Sequence, residues 1–297
     1  MRHDPSLYQI GDVANDLLRG MDMKKMLLGS VLMAISTMAL AGTASDGISS
    51  IVATNNEAGI AVTGNLFNYQ EHITPGPSDT ESGWTPGFQV KASVMRDLMG
   101  LSNVYGQVKF SYNSGGIDYH GAVENLSTGT ATPYDTTDDS TQYRILGRLG
   151  KGFAITDNAM LTPYVAIGYQ HWNRHLVGPY GYTEDYSAVL TGLGVKGQYA
   201  LTQRLVLGAN AEFLAVVDGQ MTPNLDGLPL GTANFGTTGE ERVGMDADYR
   251  LMGGLHLFGN LDYTHYDYTG GNLNYGFYEP FSASNQFAVG AGLAYSF

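Results

Sequence analysis

Cysteine is absent from this sequence of 297 residues, and charged side chains are scarce, at 14% of the chain. The lack of cysteine excludes disulfide bonds and thiolate metal sites. Basic residues are the rarer charges, with 15 Lys and Arg against 28 Asp and Glu. The net charge of −13 argues against a nucleic-acid partner, because phosphate binding needs a basic surface. No long apolar runs follow Ala41, which argues against helical membrane spans.

An apolar stretch near the amino terminus has the features of a secretory signal. Residues 26–41 follow the basic pair Lys24 and Lys25, and Ala39-Leu40-Ala41 supplies the small residues that signal peptidase requires. We predict a signal peptide at 23–41 that is cleaved before Gly42. What precedes it, at 1–22, reads as an upstream leader or a mis-assigned start, and 42–58 as a polar lead-in.

The end of the chain alternates strictly between two kinds of side chain. Apolar residues share one face, whereas small and polar residues share the other, because successive strand side chains point to opposite faces. The apolar face carries Phe287, Val289, Ala291, Leu293, Tyr295 and Phe297. The same period recurs upstream over 59–297 and predicts ten strands, with eight as the alternative. Apolar residues at only alternate positions are typical of a barrel wall, so we predict an all-β fold, a closed antiparallel transmembrane β-barrel.

The connections between these strands alternate in length. Bacterial barrels pair short periplasmic turns with long external loops. Long connections are predicted at 72–84, 114–140, 176–185, 218–240 and 270–284. Short ones are predicted at 97–101, 154–160, 202–204 and 251–254. An even number of strands then places both ends of the barrel domain on the periplasmic side.

The terminal pattern Leu293, Tyr295, Phe297 resembles that of Gram-negative outer-membrane barrels, whose last strand ends in an aromatic residue. The segment 164–174 is similar to a strand of opacity-type and porin-family small barrels. The resemblance implies location in the outer membrane, contact with its lipids and lipopolysaccharide, and recognition of the three terminal residues by the barrel assembly machinery. Within 164–174, His171 and Trp172 are predicted to lie in the aromatic belt at the membrane interface.

Charged residues fall on the inward faces of the predicted strands, and both signs are present. Since a ten-stranded barrel has a narrow interior, these groups are expected to pair with one another. The inward charges are Lys91, Lys109, Arg144, Arg148, Lys196, Glu212, Asp246, Asp248 and Asp262.

Most remaining acids are expected in exposed loops, where polar residues are ordinary. An adhesive or ligand-capturing surface is the alternative interpretation, and the residues specify no extracellular ligand. These loop acids are Glu71, Asp79, Glu81, Glu124, Asp135, Asp138, Asp139, Glu184, Asp185, Asp226, Glu240, Glu241 and Glu279.

Strand count invites comparison with omptins, ten-stranded outer-membrane proteases that activate a water with acids and a histidine. The nearest candidates, which do not reproduce the omptin order, are Asp118, His120, Asp138, Asp139, His265 and Asp267. No nucleophile elbow, phosphate-binding loop or zinc-protease motif is present. We therefore predict no catalytic residue, cofactor or metal, and a surface-interaction, envelope-structural or narrow porin role. An omptin-like hydrolase is the alternative.

Overall fold

A computed structural model describes residues 47–73, 78–125, 128–225 and 227–297. The predicted signal peptide, the upstream leader and Asp226 lie outside the described residues. No helix in these ranges is long and apolar enough to cross a membrane.

Ten long strands follow one another along the chain, each antiparallel to the next, which confirms ten strands rather than eight. Their bounds are β1 Glu57–His72, β2 Thr80–Leu98, β3 Leu101–Asn125, β4 Thr130–Lys151, β5 Ala159–His175, β6 Thr183–Ala200, β7 Leu205–Asn224, β8 Thr238–Met252, β9 Leu255–Tyr268 and β10 Phe281–Ser296. Short strands lie within the connections, at Phe153–Thr156, Ala233–Asn234, Gly271–Asn272 and Tyr278–Glu279, and a 3₁₀ turn lies at Asn274–Gly276.

The sheet closes on itself through the first and last strands. β1 pairs with β10 from Glu57 opposite Ser296 to His72 opposite Phe281, with no shift in register. Because every strand has two hydrogen-bonded neighbours, the ring has no free edge. The predicted closed antiparallel barrel is thereby confirmed.

Side chains alternate between the two faces of this ring as predicted. Exposed apolar residues such as Val62, Ile167 and Leu193 point outward. Aromatic residues flank this apolar band towards both ends of the barrel: Trp84, Tyr143, Tyr169 and Tyr263 on one side, and Phe153, Tyr249, Tyr295 and Phe297 on the other. An apolar band between aromatic girdles is the surface that a bilayer requires of a barrel.

The two ends of the barrel differ. The "turn end" carries the short connections at 99–100, 152–158, 201–204 and 253–254, together with Phe297. The "loop end" carries the connections at 73–79, 126–129, 176–182, 225–237 and 269–280.

A short helix, α1 (Gly47–Thr54), lies at the turn end, where a polar lead-in was predicted. Ile51 is fully buried among lumen-facing side chains that include Met95, Tyr105 and Met160. Asn56 ends the helix by donating from Nδ2 to the carbonyl of Val52 at 2.8 Å. The helix thus fills part of the barrel mouth, and the strand wall begins at Glu57 rather than Gly59.

One predicted loop is wrong. Residues 114–140 were expected as a long external loop, but β3 and β4 continue through most of this range, from Ser114 opposite Thr141 to Asn125 opposite Thr130. Backbone pairing depends on the neighbouring strand, not on apolar side chains, so a hairpin can extend where the sequence is polar on both faces. The β3–β4 hairpin therefore projects at the loop end.

Candidate functional site at the loop end of the lumen

The middle of the lumen is crossed by ion pairs between opposite walls. Arg148 Nε lies 2.6 Å from Glu212 Oε1, and Lys109 Nζ lies 3.1 Å from Asp262 Oδ2. Arg242 stands between the two carboxylates, at 3.7 Å from each. The predicted pairing of inward charges is confirmed, since each of these groups lies within 4 Å of an opposite charge on another strand.

Further pairs extend this network towards both ends. Nearer the loop end, Arg144 donates from Nη1 and Nη2 to the two carboxylate oxygens of Glu240, at 2.7 and 2.6 Å. Towards the turn end, Lys196 Nζ lies 4.0 Å from Asp246 Oδ1. Cavities of about 70 and 60 Å³ lie between these layers. Cavities of this size, lined by polar side chains, are large enough to hold water molecules.

Between the ion pairs and the loop end, a layer of aromatic rings crosses the lumen. Trp172 stacks on Tyr186 with ring centroids 4.9 Å apart, and Tyr186 stacks on Tyr268 at 5.9 Å. Tyr69 meets the edge of Trp172 at 4.9 Å. Trp172 is 3% exposed and donates from Nε1 to Ser140 Oγ at 2.8 Å. The rings form a continuous packed partition, which we call the aromatic plug: Phe67, Tyr69, Trp172, Tyr186, Phe235, Tyr266 and Tyr268.

The prediction that Trp172 belongs to the membrane-interface belt is therefore wrong. Even-numbered residues of β5 face the lumen, as Tyr164 and Ala166 already indicate. His171 does lie on the outer face, where it stacks on Tyr143 with centroids 4.8 Å apart. The alternation rule, applied consistently along β5, separates the two residues.

A single guanidinium holds several carboxylates together beside the aromatic plug. Arg174 is 1% exposed, and its Nη1 lies 2.5 Å from Glu184 Oε2 and 3.4 Å from Glu71 Oε1. Its Nε is hydrogen-bonded to Glu81, and its Nη2 lies 3.8 Å from Asp79 Oδ2. Four acids from three separate parts of the chain thus converge on one cation. We call Arg174 with Glu71, Asp79, Glu81 and Glu184 the Arg174 cluster.

Several acids that were predicted in exposed loops are instead buried in or near this cluster. Within the described part of that predicted loop set, the buried acids are Glu71, Glu81, Asp138, Glu184, Glu240 and Glu279. Strands that continue past the apolar band turn every second residue into the lumen, so the acids at those positions become interior groups. Asp79 is half-buried, whereas Glu124, Asp135, Asp139, Asp185 and Glu241 are exposed as predicted.

Burial also changes the acidity of groups in the connections. Burial raises the pKa of Glu279 well above its usual range, and the nearby Glu184 and Glu71 add to the effect. Glu279 accepts a hydrogen bond from Tyr186 Oη at 2.7 Å. The pKa of Asp79 is also raised, chiefly by burial. Both carboxyl groups therefore bind a proton more readily than an exposed acid does.

The Asp/His pairs considered for catalysis do not assemble into one site. Asp118 and His120 point outward from β3, and His120 Nδ1 lies 2.9 Å from Asp135 Oδ1 on the projecting hairpin, with 65% of the imidazole side chain exposed. Asp138 is buried and accepts a hydrogen bond from the backbone nitrogen of His175 at 2.5 Å, whereas Asp139 is exposed. His265 and Asp267 lie 3.7 Å apart on the outer face of β9.

Sequence reasoning missed three residues that organise the lumen. Arg174 was not recognised as an inward charge, although its even number in β5 places it on the face of Tyr164. Glu57 and His256 were not combined with Asp248, since these residues come from three different strands at the turn end. Only closure of the ring brings such groups together.

The sequence matches no family model and no curated protein. Its structural neighbours are outer-membrane β-barrels. They include the Pseudomonas putida toluene transporter TodX, at 14% identity over 85% of this chain and 92% of that chain, with a TM-score of 0.37. The translocator domain of the autotransporter NalP from Neisseria meningitidis is 13% identical over 95% of this chain and 98% of that chain, with a TM-score of 0.35.

A third neighbour is Ail, the attachment invasion locus protein of Yersinia pestis, at 11% identity over 81% of this chain and 99% of that chain, with a TM-score of 0.33. These proteins differ in what their names say they do. At such identities and TM-scores they indicate nothing about function, and the fold assignment rests on the strand pairings themselves.

Proposed function

We propose that this chain is an integral protein of the bacterial outer membrane, with the loop end at the cell surface and the turn end in the periplasm. The outer face supports this orientation, because it presents an apolar band between two aromatic girdles. The lumen supports it too, because the charges that a bilayer would reject are paired inside the ring. The lipid and lipopolysaccharide contacts of the protein would then lie along the apolar band and its rim.

Within that location, we propose a role in surface interaction or envelope structure rather than in passage of solutes. The observation that carries this proposal is the filled lumen. The aromatic plug crosses it, ion pairs tie its walls together, and the cavities between them measure only about 70 and 60 Å³. We therefore infer that solutes larger than water do not pass through such an interior.

The projecting β3–β4 hairpin provides the exposed surface for such a role. It combines the half-exposed Tyr134 with the exposed His120 and Asp135, and Tyr134 meets Tyr180 edge to face at 5.5 Å. Aromatic rings on a framework of paired strands are typical anchors of protein interfaces. We propose this hairpin as the part that contacts an extracellular partner.

Planar-bilayer recordings on the refolded protein test the closed lumen. Wild-type protein is expected to give no discrete conductance steps. Trp172→Ala should allow openings, because it removes the indole that packs against Phe67, Tyr69 and Tyr186 in the aromatic plug. Trp84→Ala is the matched control, since Trp84 is 54% exposed on the outer face and lines no part of the lumen. Regular conductance steps from the wild-type protein would overturn the proposal.

A peptidase assay on the same sample addresses the omptin-like alternative. We propose that the chain is not a hydrolase, which is supported by the pairing of His120 with Asp135 on an open surface rather than in a cleft. No turnover is expected above that of a buffer control. Peptide cleavage that disappears in His120→Ala but persists in His175→Ala would contradict this expectation.

A further inference from the structure

Three polar side chains converge at the turn end of the lumen, away from the aromatic plug. Glu57 is the first residue of β1, Asp248 lies on β8, and His256 lies on β9. One nitrogen or oxygen atom from each lies within 4.8 Å of the other two. The three residues are 1%, 4% and 1% exposed, so they meet in the interior and not on a wet rim.

Two small residues lie beside these side chains, Gly59 on β1 and Ala294 on β10. His256 and Gly59 both lie opposite Ala294 of β10, one on each side. A Cβ at position 59 would stand 2.8 Å from the Cβ of Ala294 and 2.9 Å from the ring of Phe258. Glycine at 59 and alanine at 294 therefore leave room for the ring of Phe258, two residues from His256 on β9.

The hydrogen bonds of these groups are incomplete. His256 Nδ1 lies 2.5 Å from Asp248 Oδ1 and 3.8 Å from Glu57 Oε2. Within the described ranges, Glu57 Oε2, Asp248 Oδ2 and His256 Nε2 have no hydrogen-bond partner although they are buried. A buried carboxylate oxygen without a hydrogen-bond donor destabilises the folded protein. A cation bound by these oxygens would remove that penalty.

We propose that Glu57, Asp248 and His256 form a binding site for a divalent metal ion, and that the ion is Zn²⁺. One imidazole and two carboxylates, without thiolates, are a ligand set that zinc accepts. A tetrahedral zinc ion places its ligand atoms about 3.4 Å apart, a value that lies between the two separations from His256 Nδ1, which are 2.5 Å to Asp248 and 3.8 Å to Glu57. Only small side-chain movements are needed to bring the three ligands onto one ion.

Lys91 limits the affinity of this site for zinc. Its Nζ lies 2.5 Å from Glu57 Oε1 and 3.7 Å from the centroid of the Phe258 ring. The ammonium occupies one oxygen of Glu57 and leaves the other oxygen facing His256. Its positive charge opposes that of the metal, so the site is expected to bind zinc less tightly than a site with three ligands and no neighbouring cation.

The ion would strengthen the part of the ring where the barrel closes. It would link β1 to β8 and β9 across β10, beside the seam between the first and last strands. A ligand that binds only the folded state raises its stability. The unfolding temperature of the protein is therefore expected to rise with zinc and to fall again when a chelator is added.

The test uses the full chain refolded in detergent, with Zn²⁺ in a calorimetric titration and Co²⁺ as a spectroscopic probe. One Zn²⁺ per chain is expected, together with a visible absorption band for Co²⁺ that zinc displaces. His256→Gln should weaken zinc binding at least about 100-fold. Losing a group that only hydrogen-bonds to a metal ligand already lowers metal affinity by about 10- to 100-fold, and His256 is itself a proposed ligand. His265→Gln is the matched control, because His265 lies on the outer face of β9, away from the site, and should leave binding unchanged.

Lys91→Gln provides a second, independent readout. Removing the opposing charge is expected to tighten zinc binding by about tenfold or more. A wild-type chain that binds no stoichiometric zinc, a His256→Gln variant that binds it equally well, or an unchanged affinity in Lys91→Gln would each overturn the proposal. If His256→Gln does not fold, the Co²⁺ band of the wild-type protein decides: its absence refutes the site, and its presence supports it.

Discussion

Replacing Arg174 by methionine tests whether this residue is what holds the loop end of the barrel together. The guanidinium is 1% exposed and lies within 4.0 Å of the four acids of the Arg174 cluster. Methionine keeps much of the volume of the arginine stem but removes its charge and all of its hydrogen-bond donors. The carboxylates would then repel one another in a site that water barely reaches.

The magnitude follows from the burial of these partners. Removing one member of a buried ion pair costs about 3 to 5 kcal/mol, largely because an uncompensated charge is left behind. Glu81 and Glu184 contact Arg174 most closely, and both are at most 5% exposed. We expect Arg174→Met to lower the free energy of unfolding by about 3 to 5 kcal/mol at neutral pH. Adding Glu81→Gln and Glu184→Gln should restore part of this loss, since the repelling charges disappear.

Urea unfolding of the refolded protein, followed by the gel-mobility difference between folded and unfolded barrel, measures this change. Arg204→Met is the control, because Arg204 lies in an exposed turn and should change stability by less than about 0.5 kcal/mol. A loss below about 1 kcal/mol in Arg174→Met would refute the reasoning. So would a triple variant that is less stable than Arg174→Met alone.

Three further predictions concern packing, acidity and assembly. Gly194→Ala should cost about 1 to 3 kcal/mol, because a Cβ there would lie 2.5 Å from the ring of Tyr164, whereas Gly197→Ala meets nothing closer than 3.9 Å and should be neutral. Burial raises the pKa of Glu279, so its stabilising proton is present at low pH and is lost as the pH rises through that raised value. Protection of the last connection against protease should thus be greater at about pH 5 than at about pH 8, and Glu279→Gln should remove the difference. Phe297→Ala should reduce insertion by the assembly machinery in cells, whereas spontaneous refolding in detergent should remain unchanged, since Phe297 is 64% exposed and contributes little to packing.

Each of these has a result that contradicts it. Equal stability of the two glycine variants would show that the ring of Tyr164 can move despite its hydrogen bond to Glu212 at 2.9 Å. Protease protection that rises with pH would reverse the sign expected for Glu279. Normal insertion of Phe297→Ala in cells would show that the terminal aromatic is not what the assembly machinery recognises.

Local sequence patterns were enough to predict the wall of this barrel. Alternation with a period of two assigns each residue to one face, and the apolar face must meet lipid whatever its neighbours are. The outward positions of Val289 and Leu293 and the inward position of Lys109 follow from this rule alone. The strand count followed as well, since each apolar segment is separated from the next by turn residues.

The same patterns failed where both faces of a strand are polar. Around the β3–β4 hairpin and at the ends of β1, β2 and β6, the chain passes beyond the apolar band, and alternation can no longer be seen in the sequence. Glu71, Glu81 and Glu184 were therefore taken as loop residues, although they are buried. Trp172 was predicted at the lipid interface because tryptophan is common in the aromatic belts there. Its even-numbered position in β5 instead directs its side chain into the lumen.

The sequence by itself determined that strands form, how many there are and which face of each meets lipid, because those properties depend on residues adjacent in the chain. Only the tertiary structure decided which charges meet. Arg174 reaches Glu71 and Glu81, and Glu57 reaches His256, because ring closure sets strands from distant parts of the chain side by side or face to face across a narrow lumen. That juxtaposition depends on register and curvature over the whole ring, which no local segment of the sequence contains.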